Sequence, residues 1–286
     1  MTNRILVPLD NSAISLEVAR FAEEYALKHE KALDFLHVHA KRDPDAEQYF
    51  EDFVARQTIK VSHQVLHRYG KSSNIILKTA EQEQSSMIVM ASHSHTLIGR
   101  LLLGSNTDYL LHHAPCPVLV YKKFTSSVQN RILVPVDYST SSICVIHSAE
   151  EWAARENAEL FFLHIRESQE PTNPLFGIDP GVETMMFDPN TNVHHAQIDQ
   201  KLHETLTNEL HQYLNDMKLN TPWKATVKYG IPYLLIVESQ IEIQAKLVMM
   251  AAHSQSFAER MFLGGTTDYL AHHSGCPIYV FRAPPN

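Results

Sequence analysis

The feature that most constrains this chain is an internal repeat. Residues 3–39 align without a gap on residues 130–166, and 18 of the 37 positions are identical. Residues 85–121 align in the same way on residues 245–281, with 16 of 37 positions identical. Agreement of this extent in two separate blocks indicates a tandem duplication, so both halves of the 286-residue chain are expected to share one fold.

The offset between the copies shows where they differ. It changes from 127 in the first block to 160 in the second, which places about 33 extra residues in the second copy. Their prolines, glycines and asparagines predict an ordered loop or flap. We expect domain 1 at residues 1–124 and domain 2 at residues 128–283, with an insertion around residues 168–196 and a polar linker from Lys122 to Asn130.

Within each copy, short apolar runs alternate with amphipathic stretches. In the first copy strands are predicted at residues 4–9, 32–39, 63–69, 86–92 and 118–121. Helices are predicted from Ile14 to about Lys28, from Asp45 to about Lys60, from Ser72 to Gln84 and from near Gly104. This alternation predicts an α/β fold with a parallel sheet and helices on both faces, and a ligand site at the carboxyl ends of the strands.

Composition and charge exclude several classes of function. No apolar stretch approaches the roughly 20 residues that span a bilayer, so we expect no membrane association. The N-terminus enters a strand-like run directly and the chain has only three cysteines, which predicts a cytoplasmic protein without a signal peptide or a disulfide framework. The net charge of −8 argues against nucleic acid as a partner.

The charge is also unevenly distributed. Residues 1–125 hold 14 basic and 14 acidic side chains, whereas residues 126–286 hold 10 and 18. An anionic ligand therefore meets less repulsion in the first half.

Two loops have the layout of a phosphate-binding turn. They are ASHSHTLIGRLLLGS (residues 91–105) and AAHSQSFAERMFLGG (residues 251–265), and each follows an apolar run and ends in glycine where a helix can begin. The first half of each loop contains no glycine, although glycine lets a backbone approach a phosphate closely.

Three motifs recur in order in both copies and resemble the universal stress protein family in its tandem form. They are ILVPLD or ILVPVD, FLHV or FLHI, and RLLLGS…APCPVLVY or RMFLGG…SGCPIYVF. The resemblance implies two tandem five-stranded, Rossmann-like α/β domains of strand order 3-2-1-4-5. It also implies pseudo-two-fold packing of the domains through their last strands, with further pairing into a homodimer left open.

The resemblance also implies where an adenine nucleotide is held. The adenosine contacts correspond to Pro8, Asp10 and Val38 and, in the second copy, to Pro135, Asp137 and Ile165. The family's glycine motif, Gly-x2-Gly-x9-Gly-[Ser/Thr], falls on Ala91, Ser94, Gly104 and Ser105 in the first copy. In the second copy it falls on Ala251, Ser254, Gly264 and Gly265, with Thr266 one place later.

Both copies thus lack the first two glycines of that motif. Where the loop needs a left-handed backbone, Ala or Ser costs about 1–2 kcal/mol. The hydroxyl of Ser94 can donate to a phosphate, and Gly104-Ser105 preserve a helix N-terminus. We therefore expect copy one to be the better site for ATP or another adenine nucleotide, with Mg²⁺ only when nucleotide is bound. The alternative is that both loops merely close the sheet.

Other polar residues carry weaker signals. Asp10 and Asp137 are expected either to bind a ribose hydroxyl or to cap the next helix. Histidines recur at His93, His95 and His112-His113, but no zinc-ligand spacing is present and we expect no metal site. The thiols of Cys116 and Cys276 are expected to be buried.

These observations favour a non-enzymatic regulatory module of the stress response that binds a small molecule, with no catalytic residues. One alternative is a nucleotide-independent ligand or protein-interaction module that uses the domain 2 cleft and the insertion, including its apolar Met185–Phe187 stretch. The other is a slow ATP hydrolase, for which the chain shows no residue dedicated to water activation.

Overall fold

Both copies fold as alternating strands and helices in the computed structural model, which describes residues 3–10, 12–92, 105–124, 127–167, 200–252 and 265–282. The first copy contains β1 (Arg4–Pro8), α1 (Ala13–His29), β2 (Ala32–His39), α2 (Pro44–Ala55), β3 (His63–Tyr69), α3 (Ser72–Gln82), β4 (Met87–Ala91), α4 (Ser105–His113) and β5 (Val118–Tyr121). The second contains β6 (Gln129–Val136), α5 (Thr140–Glu156), β7 (Glu159–Arg166), α6 (Gln200–Asp216), β8 (Trp223–Tyr229), α7 (Pro232–Glu242), β9 (Ala245–Ala251), α8 (Gly265–His273) and β10 (Ile278–Phe281).

The strands of both copies form a single sheet. Over the described residues its order is β3-β2-β1-β4-β5-β10-β9-β6-β7-β8. All neighbouring strands are parallel except the central pair, where β5 and β10 run antiparallel. Each half therefore has the order 3-2-1-4-5, and the halves join through their last strands, which confirms the predicted fold.

The sheet is covered on both faces by apolar packing. Along β1, Ile5 and Val7 face α1 and α2, whereas Leu6 faces α3 and α4, because side chains alternate along a strand. The helices α5 and α6 lie on the same face as α1 and α2, and α7 and α8 on the same face as α3 and α4. The two halves are therefore related by a pseudo-two-fold axis perpendicular to the sheet.

Helix α2 is shorter than predicted. It ends at Ala55 rather than near Lys60, because Thr58 adopts a left-handed backbone with φ of +54°. The residues that follow connect α2 to β3, and the side chains of Ile59 and Val61 pack against the core. The Lys60 N–H is held by the carboxylate of Glu23 at 2.6 Å.

Residues that are equivalent in the repeat meet at the domain interface. Tyr25 and Trp152 are separated by the repeat offset, and their ring centroids lie 4.4 Å apart. His29 and Glu156 are related in the same way, and their side chains approach to 3.9 Å. A residue can contact its own copy only near a two-fold axis, so these pairs mark the axis position.

Two cations tie the domains together reciprocally. Lys122 Nζ donates to the carbonyl oxygens of Leu270 and Ser274, at 3.3 and 3.2 Å, at the end of α8. Its repeat counterpart, Arg282, donates to the Leu111 carbonyl near the end of α4. Burial lowers the pKa of Lys122 to about 8. Although we predicted that the linker begins at Lys122, this residue belongs to the domain interface.

The insertion predicted around residues 168–196, with its Met185–Phe187 stretch, lies outside the described residues. Within the described ranges, no helix combines the length and the apolar character needed to cross a membrane.

Two glycines are required at the corners after β3 and β8. Gly70 and Gly230 have φ of +133° and +141°, and a Cβ on Gly230 would lie 3.3 Å from the Leu235 side chain. We expect Gly230→Ala to lower the free energy of unfolding by about 1–3 kcal/mol, measured by urea denaturation. Gly265→Ala is the matched control, because a Cβ there meets nothing within 4 Å. Equal effects of the two substitutions would contradict this account.

Candidate functional site

A pocket opens at the carboxyl ends of the domain 2 strands. Its volume is about 230 Å³, and its walls include five of the residues predicted as ligand contacts, namely Pro135, Asp137, Ile165, Ala251 and Thr266. An adjoining depression of about 570 Å³ shares Glu167, Pro232 and Thr266 with it and also contains Gly265. The other two predicted residues of this copy, Ser254 and Gly264, lie outside the described residues.

Much of the pocket wall is apolar and was not predicted from the motifs. Leu163 of β7 and Met250 of β9 line it from the sheet, and Pro232 and Ile236 line it from α7. Pro232 occupies the first turn of its helix, where its missing N–H costs no hydrogen bond. The pocket therefore offers an apolar surface to a ring, and polar residues such as Asp137 and Thr266 complete its lining.

Asp137 is held at the mouth of this pocket by the start of α5. Its Oδ1 accepts hydrogen bonds from the Ser139 N–H at 3.1 Å and from the Ser142 hydroxyl at 2.5 Å. Ser139 in turn caps α5 by accepting from the Ser142 N–H at 3.1 Å. The carboxylate is thus fixed at the strand end by local hydrogen bonds.

Domain 1 repeats this arrangement. Asp10 Oδ1 accepts from the Ser12 N–H at 3.1 Å and from the Ser15 hydroxyl at 2.8 Å. The N-cap of α1 is Ser12, and the aspartate lies two residues earlier. The alternative that Asp10 and Asp137 are themselves N-caps is therefore wrong.

The histidine of the FLHV and FLHI motifs supports the same loops. His37 Nδ1 lies 2.9 Å from the Leu9 carbonyl oxygen, and His164 Nδ1 lies 2.9 Å from that of Val136. Since a carbonyl only accepts, each ring carries its proton on Nδ1. Burial lowers the pKa of His37, which favours the neutral ring. These histidines position the strand ends.

A threonine in each copy ties the next helix to the sheet. The Thr107 hydroxyl donates to the Ala91 carbonyl at 3.2 Å, and the Thr267 hydroxyl donates to that of Ala252 at 3.4 Å. These bonds hold the N-termini of α4 and α8 beside the carboxyl ends of β4 and β9. Unpaired N–H groups at such a position favour an anion.

The remaining predicted residues of domain 1 lie at the equivalent edge. Pro8 ends β1 opposite Leu36, and Val38 lies two residues farther along β2. Ala91 ends β4, and Ser105 is the first residue of α4. Ser94 and Gly104 lie outside the described residues. The structure thus brings the described members of the set to one edge of the sheet.

The histidine and cysteine predictions concern other parts of the fold. His112 and His272 approach Asp108 and Asp268 one helical turn away, at 3.5 and 3.8 Å. Within the described ranges no three His, Cys, Asp or Glu side chains are grouped to hold a metal, and His93 and His95 lie outside them. Cys116 and Cys276 are buried as predicted, and burial raises the pKa of each thiol to about 12.

Both halves of the chain match one family of known proteins. The model of the universal stress protein family matches twice, over residues 1–122 and 129–282. The chain belongs to the universal stress protein family. Because the two matches follow one another and each corresponds to a complete 3-2-1-4-5 half of the sheet, it is a tandem member with two universal stress protein domains.

Relatives of the whole chain and of one domain are both found. A universal stress protein of Mycolicibacterium smegmatis is 24% identical over 302 residues, covering 97% of this chain and 96% of that protein. One of Methanocaldococcus jannaschii is 28% identical over 141 residues, covering 42% of this chain and 82% of that protein. The crystal structure of a universal stress protein from Archaeoglobus fulgidus superposes with a TM-score of 0.68 at 18% identity, covering 99% of this chain and 97% of that one.

Proposed function

We propose that this universal stress protein is a regulatory binding module of the cytoplasmic stress response, which holds a small molecule at the carboxyl ends of its strands and catalyses no reaction. The observation that carries the proposal is the pocket of domain 2. Residues from four separate segments, Pro135-Asp137, Ile165, Ala251 and Thr266, line that one cavity. Parallel α/β sheets bind ligands at this edge.

For domain 1 the proposed ligand is ATP or another adenine nucleotide. The Asp10 loop and the His37 support match those of domain 2, and the N-terminus of α4 is tied beside β4 to receive a phosphate. The net charge of this half is zero, so an anion meets little long-range repulsion. Mg²⁺ would accompany the nucleotide.

Binding without turnover is supported by the residues around the pocket. General acid–base catalysis is most efficient when a side chain within hydrogen-bond reach of the reacting group titrates near the operating pH. The described lining of the domain 2 pocket includes no histidine, cysteine or lysine. Oδ1 of Asp137 already accepts hydrogen bonds from Ser139 and Ser142 of the same loop.

The glycine positions of the loop test the nucleotide proposal. We expect Ala91→Gly/Ser94→Gly to strengthen ATP binding in domain 1 about tenfold, which is about 1.4 kcal/mol, because removing the two Cβ atoms lets the backbone approach a phosphate closely. The measurement is calorimetric titration of the full chain with Mg-ATP.

The repeat supplies the matched control. Ala251→Gly/Ser254→Gly makes the same change in domain 2, where we expect a smaller gain. If neither the unaltered chain nor the domain 1 variant binds ATP, ADP or AMP, the proposed nucleotide site is wrong. ATP hydrolysis that disappears on replacing Asp10 and Ser105 would instead support the hydrolase alternative.

A further inference from the structure

The described lining of the domain 2 pocket and its adjoining depression carries charge of one sign. It contains three carboxylates, those of Asp137, Glu167 and Asp268, and no lysine, arginine or histidine. A phosphate-bearing ligand in this space faces negative charge without a cation among these residues. Phosphate sites in proteins ordinarily combine Arg or Lys with backbone N–H groups. Among the described residues the N-terminus of α8 supplies N–H groups here, but no Arg or Lys joins them.

Two positions form what we call the rim of each site: the residue after β2 or β7, and the N-cap of α3 or α7. The backbone of the rim is the same in both domains. The N–H of Gly70 donates to the His39 carbonyl at 2.9 Å, and that of Gly230 donates to the Arg166 carbonyl at 3.1 Å. The residues that directly follow the two accepting carbonyls, Ala40 and Glu167, are therefore equivalent in the two copies.

The second rim position is the N-cap of the helix that follows each glycine. Lys71 occupies the N-cap position of α3 with φ and ψ of −73° and 120°, and Ile231 occupies that of α7 with −83° and 118°. Since the backbones match, the two rims differ by their side chains. Glu in place of Ala and Ile in place of Lys make the domain 2 rim two unit charges more negative.

Among the described residues, the cations of domain 2 near this rim do not offset the difference in charge. Arg166 follows the pocket residue Ile165 directly and, because side chains alternate along a strand, it lies on the opposite face of β7. Lys228 is paired with the carboxylate of Glu242 at 2.8 Å. Neither residue belongs to the lining of the pocket or the depression.

We propose that the domain 2 pocket takes an uncharged, nucleoside-like ligand and discriminates against its phosphorylated form. The apolar wall formed by Leu163, Ile165 and Ile236 receives a ring, and Asp137 and Thr266 face its hydroxyl groups. A volume of about 230 Å³ is below the roughly 300–1,000 Å³ of pockets for drug-sized ligands, which suits a ring with one sugar. This inference rests on the proposed function and adds the ligand class.

The test compares adenosine with AMP on the full chain, by calorimetry with native mass spectrometry for stoichiometry. In the unaltered chain we expect adenosine to occupy domain 2 and AMP to bind there at least tenfold more weakly, with a gap that narrows at high salt. Ala251→Phe, which fills the pocket, should abolish the domain 2 adenosine site and so assign it.

Exchanging the rims provides the decisive variants. Glu167→Ala/Ile231→Lys gives domain 2 the rim of domain 1, and we expect it to strengthen AMP binding about tenfold while adenosine changes less than threefold. The reverse exchange, Ala40→Glu/Lys71→Ile, should weaken nucleotide binding in domain 1 about tenfold.

The outcomes separate the two proposals. If adenosine and AMP bind domain 2 equally, or the exchanged rim leaves AMP affinity unchanged, the ligand class is wrong and the binding function stands. If neither compound binds domain 2 in any variant, the ligand class and the domain 2 site both fail.

Discussion

Glu156→Gln will lower the free energy of unfolding at pH 7 by about 2–3 kcal/mol. The carboxylate lies at the domain interface, with its side chain 9% exposed, and it contacts Lys246 and, at 3.6 Å, Lys28. His29 lies 3.9 Å away, which is an electrostatic contact rather than a hydrogen bond. Removing the negative charge leaves these groups without the partner that they share.

The same cluster predicts a defined pH dependence. Burial opposes ionisation of Glu156, but His29, Lys246 and Lys28 outweigh it and lower the pKa to about 2. Because the folded-state pKa lies below the ordinary 4.5, the stabilisation is present above about pH 4.5 and is lost as the pH falls toward 2. The stability gap between the native chain and Glu156→Gln should therefore close over this range.

The control lies five residues earlier on the same helix. Glu151 pairs with Arg155 at 3.6 Å, but its side chain is 65% exposed, so we expect Glu151→Gln to change stability by less than about 1 kcal/mol. Urea denaturation of the three proteins at pH 7 and pH 3 measures both effects. A gap of the same size at both pH values would show that Glu156 acts through packing rather than charge.

Trp152→Ala will cost about 3–5 kcal/mol, the largest effect that we expect from one substitution. The indole is buried at the two-fold axis, with ring centroids 4.4 Å from Tyr25 and 5.9 Å from Tyr279. Removing it opens a cavity between α1, α5 and β10, so both domains should lose stability together. Thermal and urea unfolding of the full chain report the loss.

Trp152→Phe separates the packing of the ring from its polarity. Among the described residues the indole N–H is buried without a hydrogen-bond partner, so phenylalanine removes ring volume but no hydrogen bond. We expect a cost of about 1–2 kcal/mol, well below that of alanine. Equal losses in the two variants would mean that the aromatic contacts across the axis contribute little.

The fold was largely predictable because both copies show the same order of predicted strands and helices. Apolar runs, helical stretches and motif order agreed between the copies, so the topology followed without knowledge of any contact. The end of α2 was misplaced because Ile59 and Val61 are apolar and continue the pattern, whereas a left-handed residue at Thr58 has no strong signal. Propensity alone does not mark such a turn.

Site residues were predictable only where they belong to one of the recurring motifs. Asp10, Asn11 and Ser12 are three consecutive residues that can cap a helix, and only the backbone decides that Ser12 occupies the N-cap position, where its side chain makes no capping hydrogen bond. Glu167 was missed because it lies one residue beyond the aligned block, although extending the repeat to Ala40 exposes the difference in charge.

Contacts across the interface, such as that of His29 with Glu156, could not be predicted from the sequence pattern. They depend on how the two domains are oriented, and no local sequence pattern records that orientation. The only sequence signal for these contacts is that equivalent positions of the two copies, such as His29 and Glu156, carry complementary side chains.

The antiparallel central pair determines which side of the molecule each proposed site faces. Because β5 and β10 run in opposite directions while each half is parallel, the carboxyl ends of the two halves lie along opposite margins of the sheet. The two proposed binding sites therefore open in opposite directions, and one partner approaching from a single side would meet only one of them. If the two sites hold chemically different ligands, this polarity presents each ligand to a different margin of the molecule.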